Sequence, residues 1–193
     1  MTTSKASQLI VISGVFFIFA ALLAGNWYDW EPARFGIRLQ SGQRYQSPMF
    51  HVDLNTTYLI ELDAERDIPV EKINCLLGIA ASQSCTSPII IWWLVWDLKS
   101  NLVVAHGLSQ GDGVGSWGEK ISREVGRFSG YRSQAYRLQL DVIAGDPDFN
   151  PVRLHASVRV HSGDSLGYAL VAQLALMMGL ITIIAGILLF IQR

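Results

Sequence analysis

The chain has 193 residues, half of them hydrophobic, and a formal net charge of −1. So mild a balance argues against nucleic acid as a partner. With two cysteines in all, the protein is no disulfide-dense scaffold either.

Residues 1–8 read as a short cytoplasmic tail carrying Lys5. From Leu9 to Gly25 the run LIVISGVFFIFAALLAG has no charge, and extended through Asn26, Trp27 and Tyr28 it is long enough to cross ~30 Å of hydrocarbon. Residues 9–28 are therefore expected to be a first transmembrane helix. A secretory signal peptide has a similar pattern, but cleavage after Ala24 would leave Leu22, not a small residue, two positions before it. The retained signal-anchor is the preferred reading. Trp27, Tyr28 and Trp30 suit the headgroup layer, where a ring rests in the apolar boundary and its N–H or O–H reaches water.

Residues 29–167 change to the alternation of half-buried strands. In NTTYLIELDAE, Tyr58, Ile60 and Leu62 share a face. In IIIWWLVWDLKS, apolar residues occupy both faces from Ile90 to Leu98, which predicts a strand covered on both sides. The turn Lys99, Ser100, Asn101 then leads to LVVAHGL as a hairpin partner. YRLQLDVIA and VRLHASVRV, separated by GDPDFNP, read as a second hairpin. Weaker strands are expected at FGIRL, MFHVDL, VEKINCLLG and REVGRF, and no sustained helical pattern is seen in this region. About eight short strands in one region predict an all-β antiparallel sandwich or jelly roll.

Cys75 and Cys85 fall in this domain. Their ten-residue offset includes Gly78, Ser82, Gln83 and Ser84, a plausible reversal, and predicts a disulfide if the domain is exported. A zinc site would need two further ligands, which no nearby CxxC or His supplies.

In GDGVGSWG, Gly113, Gly115 and Gly118 have GxGxxG spacing, but a strand pattern follows where a phosphate-holding helix is needed. The same loop fails the GxSxG elbow at Val114. It is read as a glycine-rich loop presenting Trp117 to a partner. Asp146, Asp148 and Asn150 imitate half a calcium loop, yet Pro151 replaces the required glycine and Ser157 the bidentate glutamate. They are read as a turn at the partner-binding end. On the final strand Arg153, His155, Arg159 and His161 share a face, and with Arg137 on the preceding strand they form a basic stripe. Asn55, Thr56 and Thr57 form a glycosylation sequon, meaningful only in a eukaryotic host.

Residues 168–191 include ALVAQLALMMGLITIIAGILLFI, interrupted only by Gln173 and Thr182, and predict a second transmembrane helix before a cytoplasmic end at 192–193. Ala172, Ala175, Gly179, Thr182 and Gly186 fall on one stripe, where another backbone can approach: Gly14, Ala21 and Gly25 of the first helix, or the helix of another copy in a homo-oligomer. Lys5 and Arg193 in the short tails place both ends in the cytoplasm, with the domain on the other side of a bacterial inner or plasma membrane.

No paired carboxylates, triad spacing or metal cluster emerges, so the sequence calls for no cofactor, no metal and no catalytic residue. The expectation is a non-enzymatic, membrane-anchored extracytoplasmic module binding a protein partner, as an accessory subunit of an envelope complex or an immunity-type inhibitor. The alternative is a glycan- or lipid-binding sensor using the tryptophans, with a membrane-bound hydrolase behind it.

Overall fold

A computed structural model of the chain describes residues 10–19, 31–79, 89–109, 115–117, 120–145 and 152–191. The chain divides into two compact units, residues 31–161 and the two termini.

The first unit is a sandwich of two antiparallel sheets. Sheet A has the order β1 (Ala33–Ile37), β10 (Leu154–Val160), β4 (Thr56–Glu65), β8 (Lys120–Gly130), β7 (Gly115–Trp117). Sheet B has the order β2 (Arg44–Gln46), β9 (Ala135–Ala144), β5 (Ile90–Asp97), β6 (Leu102–Ser109), with β3 (Phe50–His51) also on β9. Alternation sets the faces: Tyr58, Ile60 and Leu62 of β4 meet Ile91, Val95, Leu138 and Leu140 of sheet B in one core. The fold class follows the sequence pattern, with ten described strands.

Two local expectations are corrected. VEKINCLL is a helix, α2 (Val70–Leu77), not a strand. Ile73, Leu76 and Leu77 are its buried residues, at offsets of three and four, and Gly78 ends it in the left-handed region that glycine tolerates. Nor are β9 and β10 a hairpin: β9 pairs with β2, β3 and β5, whereas β10 pairs with β1 and β4 in the other sheet. Both strands alternate because both face one core, and that alternation cannot distinguish pairing from facing.

The β5–β6 hairpin is present. Its turn is held by Asp97, whose carboxylate accepts from the Lys99 N–H at 2.9 Å and the Ser100 hydroxyl at 2.8 Å. Trp93 points inward from β5 into a slot made by two glycines. A Cβ on Gly126 of β8 would collide with its ring, and one on Gly107 of β6 would stand 2.9 Å from it.

The second unit contains α1 (Ile10–Phe19) and α3 (Ser162–Ile191). Within α3, Leu170–Leu188 is long and apolar enough to cross a membrane, and 11% of it is buried in the protein, against what a soluble core helix would show. The described part of α1 is shorter than a span. The helices approach antiparallel: a Cβ on Gly14 would lie 2.6 Å from the Thr182 hydroxyl and 2.7 Å from the Gly179 carbonyl oxygen, and one on Gly179 would lie 2.7 Å from Ile18. Trp27, Tyr28, Trp30, Ala21 and Gly25 lie outside the described residues.

Candidate interaction surface

β6 closes sheet B, because its only described strand neighbour is β5. A strand at a sheet margin carries a row of backbone donors and acceptors facing away from its neighbour. Soluble proteins commonly guard such a margin with charge or proline, and LVVAHGLS has neither. Its large side chains are open: Leu102 is 64% exposed, Val103 41%, Val104 46% and Leu108 48%.

The register explains which way they point. Leu108 is opposite Trp92, His106 opposite Leu94 and Val103 opposite Trp96, all on the outer face of sheet B. Ala105, Gly107 and Ser109 are opposite Val95, Trp93 and Ile91, the core-facing set. Val104 is the extra residue of a bulge between these stretches. The three strand tryptophans thus divide: Trp93 is core, while Trp92 and Trp96 are half-buried beneath the β6 margin.

Beside this margin the sandwich is open. β7 covers only Ile121–Arg123 of β8, and Glu124–Gly130 has no described strand on that side. Between the two exposed margins lies a groove of about 550 Å³ lined by Thr57, Val104, Ala105, Arg127, Phe128, Ser129 and Tyr131.

The predicted basic stripe is no free cationic face. Arg153 pairs with Glu65 at 2.7 Å and Asp67 at 3.2 Å. These contacts hold the Asp67 carboxyl below the usual range. Arg159 hydrogen-bonds to fully buried Asp63 and reaches Glu61 at 3.5 Å and Glu31 at 3.6 Å. His155 lies 3.5 Å from the Arg34 guanidinium. The backbone N–H of His161 donates to the Thr57 carbonyl. Arg137 is exposed on β9, in the other sheet, and does not join them.

Of the expected partner loop, Gly115 and Trp117 are the ends of β7, paired to β8, so this part of the glycine-rich segment is strand rather than loop. Gly113, Asp146, Asp148 and Cys85 lie outside the described residues. Cys75 lies half-buried on α2. On α3, Gly179 and Gly186 are buried and Ala172, Ala175 and Thr182 partly so. Thr182 also donates to the carbonyls of Met178 and Gly179. Among the described residues, no group of three or more His, Cys, Asp or Glu could hold a metal ion.

Arg123 was not anticipated. It is completely buried, and its guanidinium donates to the carbonyls of Leu77 at 2.9 Å and Ile89 at 3.4 Å and to the Ser109 hydroxyl. One side chain thus ties the end of α2 to the start of β5 and the end of β6. The signal was present in ISREV, where alternation puts Arg123 in line with inward Ile121 and Val125.

No protein-family model matches the chain, and no curated protein does. A solved structure of a protein from Sulfurospirillum deleyianum is similar, with a TM-score of 0.51 and 11% identity. The similarity covers 67% of this chain and 96% of that one. At this identity it shows a shared fold and nothing of activity.

Proposed function

We propose that the protein is a non-enzymatic, two-pass membrane protein whose sandwich, on the extracytoplasmic side, binds a protein partner. The partner supplies an extended, uncharged segment that adds to sheet B alongside β6. A backbone row needs another strand to satisfy it, and the flanking groove accepts alternate side chains of such a segment. The observation that carries this reading is the charge-free β6 margin with Leu102, Val103, Val104 and Leu108 open to solvent. The proposed orientation rests on Lys5 and Arg193 in the tails. On the exported side, Cys75 and Cys85 are proposed to form a disulfide. A staple closing a loop of this size adds on the order of 2–3 kcal/mol.

A photo-crosslinking residue at Leu108 in native membranes tests the binding surface. One discrete adduct is expected, absent when the probe replaces Ile143, which is exposed on β9. Val103→Lys should lower the yield at Leu108 at least about tenfold with folding intact, since charge on a strand margin opposes pairing. Equal adducts at both positions would refute the assignment of this margin.

A second reading has support from Trp92 and Trp96, whose outward half-buried rings would suit a glycan or lipid. It predicts that Trp96→Ala weakens ligand binding while the Leu108 adduct persists.

A further inference from the structure

The outer face of sheet A contains a charge cluster that interaction through β6 does not use. Ser157 of β10 lies in register between Arg34 of β1 and Glu61 of β4, and Glu61 has Glu124 of β8 on its other side. Arg159 reaches across to Glu61, Asp63 and Glu31, the last just before β1. Arg34 approaches Glu31 at 3.7 Å, and Arg127 hydrogen-bonds to Glu124. Four carboxylates, Glu31, Glu61, Asp63 and Glu124, therefore meet three guanidiniums. His155, opposite Asp63 in register, is the remaining titratable neighbour.

The cluster is largely withdrawn from water. Asp63 and Ser157 are fully buried, and the Glu61 side chain is 15% exposed. Two buried atoms, the Ser157 hydroxyl oxygen and Glu31 Oε1, have no hydrogen-bond partner among the described residues. An excess carboxylate in such a place is relieved most simply by a proton.

We propose that Glu61 is a proton-binding site, and that its protonation tightens the joint between the strands by which the chain enters and leaves the sandwich. With Glu61 neutral, repulsion from Glu31, Asp63 and Glu124 falls away. Arg159 is then left with Asp63 of β4 on one side and Glu31 on the other, tying β4, β10 and the start of β1 together. Acidification of the compartment that holds the sandwich is then the signal.

Burial is the largest cause that raises the Glu61 carboxyl above its usual range; Arg159 opposes it, and Asp63, Glu124 and Glu31 add to it. The sign of the linkage follows. The folded state binds this proton more tightly than the unfolded state, so the stabilisation is complete below the ordinary glutamate range and is lost as pH rises through the raised value. Asp67 and Asp97, held low by their hydrogen bonds, act oppositely, and only in stronger acid.

The test is thermal unfolding of the full chain in micelles, followed by tryptophan fluorescence as pH is lowered from about 7.5 to about 5. The midpoint should rise as the pH falls. Glu61→Gln should abolish the rise, and His155→Gln should keep it. A wild-type midpoint that stays level or falls, or a Glu61→Gln chain that still rises, overturns the proposal. Should Glu61→Gln fail to fold, carboxyl NMR of carbon-13-glutamate-labelled wild type decides. One resonance titrating above the others is expected, and uniform titration overturns it.

Discussion

Single residues decide several features of the sandwich, and Arg123 is the clearest case. Its guanidinium is buried and donates to two carbonyls and a hydroxyl from three parts of the chain. Arg123→Met keeps much of the volume but leaves those acceptors without their donor. Leaving a buried acceptor without its donor costs about 1–3 kcal/mol, and the chain should lose on that order in denaturant unfolding. A loss below about 1 kcal/mol would show that water replaces the donor. The residue was legible as an inward charge on an alternating strand. Its partners were not, because Leu77, Ile89 and Ser109 are brought together only by folding. The same holds for Arg153 and Arg159: a face of like charges can be read along one strand, whereas the acids that neutralise it come from β4 and its following turn.

Elements were readable where their pattern is local. The β5–β6 hairpin followed from two strands and a three-residue turn. α2 was missed because eight residues provide barely two turns of helical period, while valine and isoleucine suggest strand. The supposed β9–β10 hairpin failed for another reason, since partners in a sandwich are chosen across sheets as well as along the chain. At this scale the α1–α3 pair also has a direct check. Gly14 and Gly179 meet where neither has room for a side chain. Gly179→Leu should therefore separate the helices, lengthening the distance between spin labels at Ile12→Cys and Ile184→Cys in micelles. An unchanged distance would mean that this contact does not hold the pair.

For the whole molecule, the division into a β-sandwich domain and an apolar helical pair was visible in the change of hydrophobic period at both ends of the domain. Its partner surface was not, because an open sheet margin is a property of strand order. LVVAHGLS would read the same in the middle of a sheet. The account depends most on the side of the membrane that the sandwich faces, and this is measured directly by applying a membrane-impermeant maleimide to intact cells expressing Leu102→Cys, a position 64% exposed in the folded chain. The account predicts labelling of this chain without permeabilisation, and of the parent chain only after reductant frees Cys75 and Cys85. Labelling of Leu102→Cys that waits until the membrane is opened would contradict it.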